Sequence, residues 1–419
     1  LTTAAVAITT TGGTSTLTFT SLLDGRQDLT LTAAGATNFE GAVGSGTGTE
    51  IGDGTGAAIQ INSTGATEFD STLETFSGIA SANGAGAITF RGDATIGAGN
   101  TATTLLNAVT NLDGLTLTSA RDLTFGNDAA NDQVNLSGAA VAITTTGAGK
   151  LTFTSKVDGG QDLTLNIVGF TDFQGAVGVG GGTEIGDGTG AAIIINSTGA
   201  TDFDSTVEAV EGLTSANGAG TITFRGDVTI SGDGGTATSL LNSVTNLDGL
   251  TFASAGAITF GNNTAADQVN LTTAAVAITT TGAGDNLTFT SKLDGRQDLT
   301  LGVTGATNFE GAVGSGGGSE IGDGTGAAIT INSGGVTEFD STLETLSGIT
   351  SANGAGAITF RGDVTLAAGN TATTLGHAVT NLDGLTFTSA GAITFGNNAG
   401  TDQVNLTTAA VAITTTGGT

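Results

Sequence analysis

The chain has 419 residues, of which 72 are Gly and none is Pro, Cys, Met, Trp or Tyr. Nine basic residues stand against 38 acidic ones, a net charge of −29. That balance excludes nucleic acid and an anionic membrane surface as partners, because both are held by clustered Lys and Arg. The lack of Cys excludes disulfides and thiolate metal sites, and no apolar run approaches the ~20 residues of a membrane span.

The predicted elements of the first stretch are all short strands. Leu17-Thr18-Phe19-Thr20 alternates apolar and polar residues, the period of a half-buried strand. Asp28 to Thr32 does the same after a turn at Asp24-Gly25-Arg26. Thr37-Asn38-Phe39 precedes a Gly-rich corner from Gly44 to Gly56, then come Ile59 to Asn62 and Thr67-Glu68-Phe69. Ala87 to Phe90, Ala94 to Ile96, Leu115 to Thr118, Leu123 to Phe125 and Val134 to Leu136 complete the series. The best helical candidate, Thr101 to Val109, lacks a capping box and carries β-branched residues, so it reads as strand or loop.

This series recurs. Val-Ala-Ile-Thr-Thr-Thr-Gly starts at Val6, Val141, Val276 and Val411, a constant interval, and the segment 406–419 repeats the segment 1–14 letter for letter. The organisation is three copies, 1–135, 136–270 and 271–405, with 406–419 opening a fourth. Together with the lack of an initial Met and of a signal peptide, this leads us to expect a piece of a longer polypeptide or a processed product. The interval from Phe19 to Phe153 is one position shorter than the repeat, and that from Phe153 to Phe289 is one longer. Such cancelling changes fit corner loops adjusted around a fixed strand ladder.

Two all-β architectures compete: a string of sandwich domains and a continuous β-solenoid. The strands are short for a sandwich, and no linker composition separates the copies. Phe19, Phe39, Phe69 and Phe90 recur at unequal intervals, as inward side chains of coils with unequal corners would. The expected fold is therefore a parallel β-helix running along the chain, with about five or six coils per copy. The absence of Pro fits, since each central strand is hydrogen-bonded on both sides and needs every N–H. Gly is expected at corners with φ > 0.

Leu17-Thr-Phe-Thr-Ser-Leu-Leu-Asp-Gly-Arg-Gln-Asp-Leu-Thr-Leu31, Thr37-Asn-Phe-Glu-Gly-Ala-Val43 and Ile88-Thr-Phe-Arg-Gly-Asp-Ala94 follow a pattern close to T-x-F-x-G-x-V with a Gly-rich corner after it. In this the chain resembles the Thr/Gly-rich repeats of giant bacterial surface proteins, the filamentous-haemagglutinin-like and autotransporter-like adhesins. The resemblance covers essentially the whole chain. It implies a right-handed helix, an extracellular location at a bacterial cell surface, and an adhesive or structural role. The secretion domain of that family is not in this sequence.

Candidate chemistry is sparse. The single histidine, His377, takes the place of Asn107 and Asn242 and reads as a tolerated polar surface substitution. Asp24 and Asp28, with their equivalents Asp158 and Asp162 and then Asp294 and Asp298, could pair as in a glycosidase, but their recurrence reads as turn and capping chemistry. Arg91-Gly92-Asp93, Arg225-Gly226-Asp227 and Arg361-Gly362-Asp363 match the integrin-recognition tripeptide. Each follows a strand Phe where a corner needs Gly, so a structural corner with a surface Arg–Asp pair is the expected role. Asp53, Asp187 and Asp323, each in a Gly-Asp-Gly-Thr-Gly turn, are the candidate Ca²⁺ ligands; the turn occurs once per copy rather than in tandem, and Gly126-Asn127-Asp128 loses its carboxylate in Gly261-Asn262-Asn263. No cofactor is otherwise expected.

The expected function is thus a non-enzymatic solenoid segment of a rigid cell-surface fibre. Its expected partners are itself, end to end or along a longer chain, and neighbouring filaments. An adhesin stalk with a distal binding domain is the alternative, and a polysaccharide-active enzyme the third class.

Overall fold

Alternation is what the strands are built on. In Thr37–Phe39, Thr67–Phe69 and Leu73–Thr75 the outer two residues are buried and the middle one is not. Strands this short cannot stand alone and are held by neighbours on both sides. A computed structural model describes residues 3–46, 48–127, 132–179, 182–232, 236–264, 266–367 and 371–416. It divides into two compact units, Leu1–Val210 and Glu211–Thr419. The described residues contain no helix, and their strands pair in parallel throughout. Each unit is a parallel β-solenoid, and the sandwich alternative falls with the lack of antiparallel pairs.

In the first unit one face of the coil carries Val6–Thr10, Leu29–Ala33, Ile59–Ile61, Ile79–Ser81, Thr103–Leu105 and Leu123–Phe125 in hydrogen-bonded order. Val6 sits beside Leu29, Leu29 beside Ile59 and Ile59 beside Ile79, so successive coils differ in length. The coil from Leu29 to Ile59 is the longest of these and absorbs the Gly-rich corner. A second face carries Leu17–Phe19, Thr37–Phe39, Thr67–Phe69, Ile88–Phe90, Val109–Asp113, Gln133–Ser137 and Lys156–Asp158. The third carries Leu73–Thr75, Ala94–Ile96, Thr116–Ser119, Val141–Thr145 and Leu163–Asn166. The expected helical candidate resolves into Thr103–Leu105 and the start of Val109–Asp113.

The sequence repeat is not a whole number of coils. Val6–Thr10 lies on the first face, and its equivalent Val141–Thr145 lies on the third. Five coils and two further faces separate them, or five and two-thirds coils per copy. The second unit behaves the same way: Val276–Thr280 and its equivalent Ala412–Thr415 sit in different sheets. Within each unit, equivalent surface motifs therefore face different sides of the coil.

The core is a column of phenylalanines. Phe19, Phe39, Phe69 and Phe90 stack with centroids 4.6, 4.9 and 5.3 Å apart. Phe260, Phe289, Phe309, Phe339 and Phe360 do so at 5.3, 4.9, 4.7 and 5.2 Å in the second unit. Beside these columns lies a defect. Thr37 and Thr67 are in register, fully buried, and their Oγ1 atoms have no hydrogen-bond partner among the described residues. Thr171 with Thr201, and Thr307 with Thr337, repeat it. An unsatisfied buried hydroxyl costs about 1–3 kcal/mol. Replacing Thr37 and Thr67 by Val keeps the shape and removes the orphaned atoms. The double variant should unfold at higher urea, with a gain of about 1 kcal/mol or more per site.

Glycine plays two roles rather than the single one expected from sequence. Gly54, Gly126 and Gly261 have φ near +90° and turn corners that other residues enter only under strain. Gly35, Gly65 and Gly86 lie in a column where successive coils nearly touch. A Cβ on Gly65 would sit 2.0 Å from the Gly35 carbonyl oxygen, and one on Gly86 would sit 2.5 Å from that of Gly65.

Candidate functional site

The residues singled out by sequence lie at corners, and each turns to the coil before or after it. Arg91 leaves the strand Ile88–Phe90 and reaches back one coil. Its Nη1 donates to Glu68 Oε2 at 3.0 Å and Asp70 Oδ1 at 2.5 Å, and its Nε lies 3.6 Å from Asp113 of the next coil. The Glu68 and Asp70 carboxylates raise the guanidinium's pKa above its ordinary value. Asp93 faces the other way and accepts the Thr116 backbone N–H at 2.8 Å. A surface Arg–Asp pair forms as expected, but Arg91 makes it with Asp70 and Asp113, and the two charged ends of the tripeptide are drawn to different coils.

The later tripeptides repeat this. Asp227 accepts from Thr251 N and Asp363 from Thr386 N, both at 2.8 Å. Arg225 lies 3.7 Å from Asp248. Arg361 is held by Glu338 at 2.9 Å, by Asp340, and by Asp383 at 3.7 Å. Gly92 and Gly362 are required by crowding: a Cβ would meet Ser71 or Ser341 backbone at 2.4 and 2.2 Å. Glycine, arginine and aspartate together thus join three successive coils.

The Gly-Asp-Gly-Thr-Gly corners are equally inward-looking. Asp53 Oδ1 accepts from Thr55 N at 2.8 Å and Thr55 Oγ1 at 2.6 Å, which closes its own turn and lowers its pKa. Asp187 and Asp323 make the same pair of bonds to Thr189 and Thr325. Their own amides are bonded to the preceding coil: Asp28 Oδ1 accepts Asp53 N at 3.2 Å, and Asp162 and Asp298 accept Asp187 N and Asp323 N at 3.3 Å. Burial is the main reason the pKa values of Asp28, Asp162 and Asp298 are raised. The structure therefore joins Asp28 with Asp53, not with Asp24, which accepts from Ser45 Oγ at 2.9 Å. These aspartates are turn and capping residues, as the sequence leads one to expect, and Asp28, Asp162 and Asp298 also tie their corner to the next coil. Among the described residues no group of three or more His, Cys, Asp or Glu side chains is placed to hold a metal ion. Asp128 lies outside the described residues.

Asparagines form a ladder from coil to coil. Asn135 Nδ2 donates to Asn111 Oδ1 at 2.9 Å, and Asn111 Nδ2 to Thr89 Oγ1 at 2.9 Å. Asn270, Asn246 and Thr223 repeat it at 2.9 and 3.1 Å, and Asn405, Asn381 and Thr359 at 2.9 and 3.0 Å.

His377 is a correction. It is 1% exposed, not a surface residue, and bridges two hydroxyls: Ser351 Oγ at 2.7 Å from Nδ1 and Thr380 Oγ1 at 3.0 Å from Nε2. Asn107 and Asn242 occupy the same buried position between Ser81 and Thr110 and between Ser215 and Thr245. A polar residue three positions before Thr at this place in all three copies, Asn107, Asn242 and His377, was the signal for burial.

One surface feature differs between copies and was missed. The Arg26 guanidinium lies 4.6 Å over the Phe76 ring, beside a cavity of about 440 Å³ lined by Gly46, Glu50, Glu74, Phe76, Thr95 and Gly97. The other copies have Gly160 with Val210 and Arg296 with Leu346. Phe76 is marked in the sequence by lying off the T-x-F pattern. Glu74 and Glu50 are already engaged here by the Gly46 and Gly48 amides, both at 2.7 Å. Comparison of the chain with protein-family models, curated proteins and solved structures finds no match.

Proposed function

We infer that this chain serves as a rigid structural solenoid segment of an extracellular fibre at a bacterial cell surface, without catalysis of its own. One observation supports this most: the arginines and most aspartates at the candidate corners, and the asparagines of the ladder, are spent on bonds to adjacent coils, while the Asp53, Asp187 and Asp323 carboxylates are spent on their own turns. Arg91, Asp93, Asp28, Asn111 and Asn135 each bond to a coil above or below their own. Such bonds resist bending and local opening but leave few groups free to act on a substrate. Calcium is at most a loosely held counter-ion near Asp53, Asp187 and Asp323. Partners are further coils of the same kind, end to end or along a longer chain, and neighbouring filaments.

The resemblance of the T-x-F-x-G-x-V coils to adhesin repeats favours a second reading, a stalk that carries a binding domain elsewhere. Immunogold electron microscopy of the native source tests both. Labelled continuous fibres are the expected result, and single stalks with a distal head favour the second reading. Label confined to the cell interior overturns both.

A further inference from the structure

We propose that the third copy carries a pH-sensitive joint, in which protonation of His377 loosens the corner between Thr373–Leu375 and Val379–Asp383 while the matching corners of the first two copies stay closed. The argument rests on a comparison the molecule makes by itself. Three copies build the same buried polar cluster from Ser, a central side chain and Thr, and two of them use asparagine at the centre. Only the third uses a group that titrates near neutrality.

The neutral ring suits the site. One ring nitrogen donates and the other accepts, and the hydroxyls of Ser351 and Thr380 meet both. An imidazolium donates from both nitrogens. The hydroxyl that had donated to the ring must then turn its proton away, in a place 1% exposed.

The charged surroundings offset this only in part. Ile349–Ser351, Thr373–Leu375 and Ile393–Phe395 contain no charged residue. Asp383, at the end of Val379–Asp383, lies 3.7 Å from Arg361. Asp402 of the following coil is the charged group that acts on the ring; its Oδ2 accepts Asn397 N at 2.6 Å and Ala399 N at 3.2 Å, while its buried Oδ1 has no hydrogen-bond partner among the described residues. Burial lowers the ring's pKa below 6.5, and the Val379 carbonyl and Asp402 only partly oppose it. The unfolded chain thus binds this proton more readily than the folded one. The contribution of the corner to stability is whole above pH 6.5 and is lost as pH falls below that value. The strands on either side pair with the preceding coil through Thr350–Thr374 and Ile358–Thr380, so loosening the corner frees that edge.

Since the chain has one histidine, NMR titration follows a single imidazole, and hydrogen exchange with mass spectrometry reads opening copy by copy. The expected midpoint lies below 6.5. Between about pH 7.5 and pH 5, opening of 373–383 should rise by roughly tenfold per unit of depression, after correction for intrinsic exchange, with 103–113 and 238–247 unchanged. His377→Asn, which installs the residue of the sister copies, should abolish the response, and Asn107→His should create it in the first copy. A midpoint at or above 6.5, equal acid opening of all three segments, or a response that survives in His377→Asn overturns the proposal.

Discussion

Phe309→Ala lowers stability by about 3–5 kcal/mol, the range for deleting a fully buried aromatic ring. Phe309 is 0% exposed and stacked between Phe289 at 4.9 Å and Phe339 at 4.7 Å. Two effects add. The ring's apolar surface is no longer buried, and each neighbour loses a stacking partner worth about 0.5–1.5 kcal/mol. Coils above and below cannot collapse into the gap, because their ~4.8 Å spacing is set by backbone hydrogen bonds. Solenoids contact mainly nearest neighbours, so the loss stays local. Hydrogen exchange should show it in Leu287–Phe289, Thr307–Phe309 and Thr337–Phe339, with protection kept in Thr386–Ser389. A uniform loss across the unit, or a cost below about 1 kcal/mol, would contradict a nearest-neighbour core.

Gly65→Ala is the second large effect, and it works by crowding. The added methyl would lie 2.0 Å from the Gly35 carbonyl oxygen and 2.3 Å from its carbon. Backbone cannot swing aside as a flexible side chain can, so two coils must separate at that corner. Overpacking costs about 1–3 kcal/mol where side chains can adjust, and rigid backbone places this substitution at the upper end or beyond. Gly84→Ala is the control. Gly84 has nothing within 4 Å of its would-be Cβ and no positive φ, so alanine there should stay within about 0.5 kcal/mol. Urea unfolding of the two variants separates crowding from any general intolerance of alanine at glycine positions.

These two positions were not equally legible in the sequence. Phe309 belongs to the series Phe289, Phe309, Phe339, whose intervals match those of Phe19, Phe39 and Phe69, and such a series can be read without coordinates. Gly65 carries no local sign of its role. Its neighbour in space, Gly35, is a full coil away along the chain, and its φ is not of the positive kind that turn rules anticipate. The same holds for Arg91, whose partners Glu68 and Asp70 belong to the preceding coil. A tripeptide suggests a pair inside itself, and only the stacking of coils shows that its ends belong to different neighbours. His377 was misplaced for a related reason: composition makes a lone polar residue look exposed, while its burial follows from Ser351 on the preceding coil.

The repeat, the short alternating strands, the parallel solenoid and the spacing of the phenylalanine column are all legible in the order of residues. These follow from period-two alternation and from the demands that a stacked coil makes on Pro and Phe, which act within a few residues or recur at visible intervals. Tertiary structure alone decided how each copy is turned. Coils of unequal length do not divide the repeat evenly, so Val6–Thr10 and Val141–Thr145 fall on different faces although their letters are the same. It also decided which carboxylate meets which amide, because those contacts depend on corner lengths added up over a full coil. A sequence motif records what one corner needs, and its partners are set by the coil stacked against it.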